Sequence, residues 1–362
     1  MSVKKLSLFL IAIAVVIGLF VLKTLMNAGH FKTIIRQSNY SCSAKGGVPG
    51  PEDIVIDRKS GTVLISFTDR RAAMKGEHPR GGISAYNPAT PAVPPKLLTG
   101  NFKGPFTPHG ISLYEKPDGT RLLFVINMGM DSHFFESTGS SVVEVFEYKQ
   151  NMLIHRDTIK GNELTSPNDI LGVGPRQFYV SIDHGASSPL GKKLENYLQL
   201  PISYVLYYDG RQFHKAAGGI AYANGLALSP DGRRLYAGAT VGRKIHVYER
   251  NPSNGKLTKL DTVKTGTGVD NLDVDDSGVI WAGCHPKLLA FVKHSKDPAA
   301  LSPSEILRVT PLNNGKYDIT RVYLDPGEEL SGSSVAVSWN NRLFIGAVYE
   351  DHFLDCTLKS KK

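Results

Sequence analysis

Residues 50–69 read GPEDIVIDRKSGTVLISFTD: a glycine and a proline, two carboxylates, an alternating apolar run, a turn at Lys59-Ser60-Gly61, and a second apolar run. Period-two alternation on both sides of a turn is the signature of two paired strands. The same order of features returns five more times, as PHGISLYEKPDGTRLLFVIN from 108, PNDILGVGPRQFYVSIDHG from 167, ANGLALSPDGRRLYAGAT from 223, VDNLDVDDSGVIWAGCHP from 269 and GSSVAVSWNNRLFIGAV from 332. The starts are separated by 58, 59, 56, 46 and 63 residues. Self-similarity at such a period, carried by strands, points to propeller blades. A β-sandwich is the competing architecture, but it gives no reason for six copies of one opening. The expected fold class is all-β, a six-bladed β-propeller.

Local chemistry agrees. Pro117-Asp118-Gly119, Pro230-Asp231-Gly232 and Asn340-Asn341 are turn signals between β-rich runs, and outer strands such as KIHVY at 244–248 follow. In a propeller the first strand of each blade lines the axis, so the residue pair that opens each repeat faces the tunnel mouth. Those openings are Glu52-Asp53, His109-Gly110, Asn168-Asp169, Asn224-Gly225 and Asp270-Asn271. Asn and Asp are also ordinary turn residues, but five openings of one character aim many oxygens at one narrow space. Crowded carboxylates repel unless protonated or neutralised, and hard oxygen donors suit calcium, which accepts six to eight of them. Magnesium fits less well, because a loose ring of side chains does not enforce an octahedron.

The formal net charge of +9 suggests a nucleic-acid binder until it is mapped. Lys4, Lys5, Lys23, Lys32, Arg36 and Lys45 precede the first acid, Glu52, and Lys359, Lys361 and Lys362 follow the last, Asp355; without those nine, 33 basic residues face 33 acids. The body is neutral, which excludes a basic nucleic-acid groove. Residues 6–22, LSLFLIAIAVVIGLFVL, form a 17-residue run without charge between Lys5 and Lys23. This is the short end of a membrane span, lengthened by snorkelling of Lys23 and by residues 24–26. A cleaved signal peptide competes, although Met26-Asn27-Ala28 matches a small-residue cleavage site only weakly. We read residues 1–28 as an uncleaved membrane anchor and 29–362 as the propeller. With Lys4 and Lys5 on the cytoplasmic side, the rest lies in the secretory-pathway lumen or outside the cell.

The cysteines suit that compartment. Cys42 and Cys356 stand at opposite ends of the folded region and Cys284 sits inside a strand-like run. A Cys42–Cys356 disulfide would tie the termini together, the alternative being three buried thiols. Asn39-Tyr40-Ser41 is a glycosylation sequon on Asn39.

These motifs resemble the paraoxonase family of calcium-dependent lactonases and arylesterases. The likeness runs, in order, through Pro51-Glu52-Asp53, FTPHGIS at 106–112, Pro167-Asn168-Asp169-Ile170, Asp183-His184, YANG at 222–225, Ser229-Pro230-Asp231-Gly232, KIHVYE at 244–249, Val269-Asp270-Asn271 and WAGCHP at 281–286. The resemblance implies an N-terminal hydrophobic helix, a pairing of Cys42 with Cys356 and a free Cys284. It also implies two calcium ions. A substrate-facing ion would be held by Glu52, Asn168, Asn224, Asp270 and Asn271, and a buried structural ion by Asp53, Asp169 and the carbonyl of Ile111. The first would polarise the carbonyl of a lactone or aryl ester while water adds.

His109, at the mouth of the second blade, is the candidate base for that water, with a structural histidine as the competing reading. His184 and His285 read as pocket wall or satisfied structural residues. Where the family commonly places a second histidine, this chain aligns Met128, whose thioether cannot relay a proton. His133, within an insertion at 129–140, is the residue available to replace it. No G-x-S-x-G elbow, phosphate-binding loop or zinc-spaced cysteine pair is present. The expected function is calcium-dependent hydrolysis of small lactones and aryl esters. The alternative is a non-catalytic relative that assembles or chaperones other membrane proteins and keeps calcium for stability alone.

Overall fold

The structure, a computed structural model, describes residues 3–129 and 141–359. Its strands form six antiparallel sheets of four strands, five of them in chain order from a tunnel-facing strand outward, with a short fifth strand added to one. The innermost strands are Pro51–Asp57, Pro108–Glu115, Pro167–Gly172, Ala223–Leu228, Gly268–Val274 and Ser333–Trp339, one from each sequence repeat. Each packs beside the next, and the sixth returns to the first, so the ring is closed.

Closure is made by the termini. The sixth blade takes three strands from the C-terminal end and its outermost strand, Tyr40–Gly46, from the N-terminal end. That pairing sets Cys42 directly opposite Cys356, and the two are joined by a disulfide while Cys284 is free and buried. The bond spans a sequence separation of 314, and a cross-link closing so long a loop stabilises by about 2–5 kcal/mol.

The turns follow the residues expected of them. Gly119 and Gly232 have φ of 81° and 70°, and Asn340 and Asn341 have 47° and 61°, which is the doubly left-handed geometry of a tight hairpin. The apolar core lies between blades rather than at the centre. One cluster packs Ile54 and Val63 of the first blade on Val335, Phe344 and Phe353 of the sixth. Another packs Phe124 of the second blade on Phe178 of the third. The other four clusters fill the remaining seams. With apolar side chains committed to the seams, the axis is left to polar ones.

Three short helices that the repeat pattern did not reveal, Arg70–Met74, Pro189–Tyr197 and Leu288–Lys296, sit in connections between strands. The N-terminal helix Val3–Asn27 is apolar and long enough to cross a membrane, and it is unburied by the protein. Its end is tied to the propeller. The Asn27 side chain bonds Gln199 (2.6 Å) and Arg243 (2.7 Å), and the Leu288 N–H donates to Ala28 O (2.9 Å). Gly29, at φ 70°, passes so near Pro286 that a Cβ there would sit 2.0 Å from its carbonyl oxygen.

Candidate metal centre

All six innermost strands break register at their openings, between Pro51 and Asp53, Pro108 and Ile111, Pro167 and Ile170, Ala223 and Leu226, Val269 and Leu272, and Ser333 and Val335. A bulge releases a residue from the ladder and turns its side chain off the sheet's two faces. The residues inside these bulges are Glu52, His109-Gly110, Asn168-Asp169, Asn224-Gly225, Asp270-Asn271 and Ser334. The bulged backbones also approach one another closely. A Cβ on Gly110 would lie 2.6 Å from Asn168 O, and one on Gly225 2.5 Å from the Cα of Asn271, so only glycine fits.

The expected ligands are all buried: Glu52, Asn168, Asn224, Asp270 and Asn271 are 6% exposed or less. Each asparagine is turned by its amide nitrogen toward a neighbouring oxygen. Asn224 Nδ2 donates to Thr240 Oγ1 (3.1 Å), Asn271 Nδ2 to Glu52 Oε1 (2.8 Å), and Asn168 Nδ2 to Asp183 Oδ2 (3.5 Å). The Oδ1 atoms of all three, and Glu52 Oε2, are then buried without a hydrogen-bond partner. Four orphaned hard oxygens on four different blades are costly in any protein. They match the donor set of a calcium ion. Burial, helped by the nearby Asp270 and opposed by Arg70, pushes the Glu52 carboxyl up to about 7.

Outer partners hold this cradle in place. Thr240 Oγ1 donates to Val269 O (2.7 Å), and Ser334 Oγ donates to Glu52 O (2.6 Å). Asp270 Oδ2 pairs with His285 Nε2 at 2.8 Å, and Phe291 stacks on that imidazole with ring centres 3.9 Å apart. Such contacts fix ligand orientation.

Asp53 and Asp169 form a second acidic pair, 4% and 3% exposed. Asp53 accepts N–H bonds from Ile54 (2.8 Å) and Ile111 (2.7 Å), and Asp169 from Ile170 (2.7 Å) and Leu226 (2.6 Å). Ile111 therefore joins this cluster through its N–H, a contact the sequence does not show. Burial lifts both carboxyls well above the usual range, and for Asp53 the neighbouring Asp169 adds to the shift. Two buried acids held against each other are a site that a cation would neutralise.

His109 lies beside the cradle, its Nδ1 3.3 Å from Glu52 Oε2. The near-neutral pKa expected of a base is not found: burial, and then the Arg70 guanidinium, push the imidazole down to about 3. Asp183 accepts from His184 Nδ1 (2.6 Å) and from Ser166 Oγ, while His184 Nε2 meets Asn196 Nδ2 (3.0 Å). Burial opposes its ionisation, but these partners hold Asp183 below the usual carboxyl range. Tyr222, whose ring meets His184 edge-on at 5.0 Å, has φ 62° just before Asn224, a left-handed backbone uncommon for an aromatic residue. Met128 packs against the seam between the second and third blades. His133 lies outside the described residues. Asn39 is exposed.

The model of the family described as Arylesterase matches residues 89–358. Serum paraoxonase/arylesterase 2 of Rattus norvegicus is 36% identical over 308 residues, covering 83% of this chain and 78% of its own. Serum paraoxonase/arylesterase 1 of Homo sapiens is 34% identical over 315 residues, covering 84% and 85%. The chain belongs to the arylesterase family. Solved structures share the fold of this arylesterase-family protein at low identity. Regucalcin of Agrobacterium tumefaciens, described as a calcium-binding protein, is 14% identical with a TM-score of 0.51, covering 87% of this chain and 94% of its own. A luciferin-regenerating enzyme is 12% identical with a TM-score of 0.54, covering 88% and 95%.

Several functional neighbours in this arylesterase-family chain escape a reading of sequence. Arg70, Thr240, Ser166 and Ser334 lie outside the repeated openings or carry no charge, and the contacts of Arg70, Thr240 and Ser334 cross from one blade to another. The one usable signal was Arg70 itself, a charged residue two positions after a strand of buried character.

Proposed function

We propose that this membrane-anchored arylesterase-family protein is a calcium-dependent hydrolase of lactones and aryl esters. The observation that carries the reading is the set of four orphaned oxygens, Glu52 Oε2, Asn168 Oδ1, Asn224 Oδ1 and Asn271 Oδ1, at the tunnel mouth. With Asp270 they would hold the substrate-facing calcium, and Asp53, Asp169 and the Ile111 carbonyl the structural one. A calcium ion in the cradle supplies a Lewis acid for an ester carbonyl oxygen.

The chain's own groups orient that chemistry. Thr240, Asp183 and Glu52 turn the three amide nitrogens aside so that their oxygens face the cradle, and Ser334 fixes the Glu52 backbone. In the reaction, water adds through oxygen to the acyl carbon and the carbonyl pair moves onto its oxygen. The C–O bond to the leaving group then breaks, and the departing oxygen takes up the water's proton. A lactone gives a hydroxy acid and an aryl ester gives an acid and a phenol. His109, beside Glu52, is the side chain placed to handle charge at the reacting oxygens.

The lumenal or extracellular placement of the propeller is supported by Lys4 and Lys5 before the apolar helix, by the formed Cys42–Cys356 bond and by the exposed sequon at Asn39. The test is hydrolysis of phenyl acetate and of aliphatic γ- and δ-lactones by the full chain in detergent, before and after chelation. Turnover that disappears on chelation and returns with calcium is expected. A folded, calcium-loaded protein that turns over none of the panel overturns the reading.

A further inference from the structure

Arg70 is the largest of the fully buried side chains, 1% exposed at the start of helix Arg70–Met74. A cation placed so deep needs a reason, and its contacts supply one. Nη1 donates to Gly50 O (3.0 Å), Thr68 O (3.4 Å) and Val348 O (3.4 Å), which join the first blade to the sixth. Nη2 lies 2.7 Å from His109 Nδ1. A guanidinium has donors only and stays charged in proteins, so at this distance the imidazole nitrogen must accept. A neutral imidazole that accepts at Nδ1 carries its proton on Nε2.

The His109 backbone is fixed by the same corner of the fold. Ser66 Oγ donates to His109 O (2.6 Å), and Thr68 Oγ1 donates to Pro108 O (2.9 Å). Strand Thr62–Thr68 runs through Asp69 into the helix that carries Arg70, and Asp69 caps that helix by accepting from Ala72 N (3.0 Å). One strand-to-helix corner therefore holds both the main chain and the ring of His109. Glu52 Oε2, 3.3 Å from Nδ1, makes no hydrogen bond to it, so the carboxylate does not compete for a proton there.

We infer that Arg70 is a positioning residue for His109, holding Nδ1 as an acceptor so that the imidazole presents an Nε2–H donor to the reacting oxygens. The inference rests on the hydrolase reading for its purpose, but not for its geometry. On this view His109 steadies the carbonyl oxygen as negative charge gathers on it, in the manner of an oxyanion-hole donor, and neither gains nor loses a proton in the step. The guanidinium behind the ring keeps the tautomer fixed before substrate arrives.

The test is long-range 1H–15N correlation on the full chain in detergent, labelled at its eleven histidines, with the His109 signals identified by their loss in His109→Gln. The expected spectrum has the His109 proton on Nε2 in the wild type, with and without calcium. Folded Arg70→Met is expected to show proton density moving to Nδ1, whereas Arg70→Lys, which keeps a donor, retains the Nε2–H form. The kinetic counterpart compares His109→Gln, which keeps a donor and has no basic nitrogen, with His109→Ala. The glutamine variant is expected to keep turnover at least tenfold above the alanine variant. A wild-type His109 with its proton on Nδ1 overturns the inference, as does a glutamine variant no faster than alanine. The tautomer is read without substrate, so a protein that fails to hydrolyse the panel removes the hydrolase reading and leaves the spectrum to decide the role of Arg70.

Discussion

Three asparagines are central to the proposed metal centre, because an amide can be turned either way and each of these is turned by a neighbour. Thr240 matters most for this argument, since its hydroxyl accepts from Asn224 and passes its own proton to Val269 O. Replacing it by valine keeps the shape and frees the amide to rotate. Thr240→Val is expected to weaken calcium affinity by about 10–100-fold, the usual effect of losing an outer partner, as read by calcium titration; unchanged affinity would separate the amide's orientation from the site. Asp53 has a different role at the same scale. In Asp53→Ala the N–H groups of Ile54 and Ile111 lose their acceptor, and each buried orphan costs about 1–3 kcal/mol. Urea unfolding of that variant is expected to shift to lower denaturant, both with and without calcium.

At the scale of the strand, the bulge is what turns a repeat into a site. A regular strand would send Glu52 and Asp53, or Asn168 and Asp169, to opposite faces of the blade. The register break instead leaves the first of each pair with an orphaned buried oxygen and sets the second to accept backbone N–H bonds. Such strands depend on close approach at the axis. Gly225→Ala would bring a methyl within 2.5 Å of the Asn271 Cα, and overpacking of this kind costs about 1–3 kcal/mol. A thermal shift of that variant to lower temperature, together with weaker calcium binding, is the expected result, and wild-type behaviour in both would contradict the packing account.

This is also where sequence was most and least informative. The proposed ligand residues were legible because each opens a repeat, and six repeats set one beside another define an axis. The bulges were not legible, since a doubled polar opening does not say which residue leaves the ladder. Neither was Arg70, whose partners His109, Gly50 and Val348 lie in the second, first and sixth blades. The helices Pro189–Tyr197 and Leu288–Lys296 interrupt blades at irregular places, so periodicity tuned to strands passed over them. His109 shows the remaining limit: its position was readable, but the cation behind it, which with burial pushes the imidazole down, was not.

For the molecule as a whole, the centre stores repulsion that calcium would relieve. In calcium-free protein Glu52 is raised to about 7, and Asp53 and Asp169 are raised well above the usual carboxyl range, each chiefly by burial. An acid whose folded pKa is raised contributes stability that is present below its unfolded value and is lost as pH rises through the folded one. His109, His246 and His294, each held down chiefly by burial, act in the opposite sense: their contribution is present above about 6.5 and lost as pH falls. Above about 6.5 the depressed histidines no longer titrate and the raised acids set the sign, so the melting temperature of chelated protein is expected to fall between about pH 6.5 and pH 8. Calcium should raise it most at pH 8, where the ligands are ionised. A chelated protein that becomes more stable toward pH 8 would contradict this balance.

The N-terminal helix and the propeller meet through Asn27, Ala28 and Gly29, so binding is best measured on the full chain in detergent. Calorimetric titration of calcium into the chelated chain, wild type against Asn168→Ala, tests the central claim most directly. Two sites are expected in the wild type, one of which is lost in Asn168→Ala while the other, at Asp53 and Asp169, is kept. Failure of the folded wild type to bind calcium, or an Asn168→Ala isotherm indistinguishable from it, would contradict the claim that the orphaned oxygens at the tunnel mouth form the metal centre.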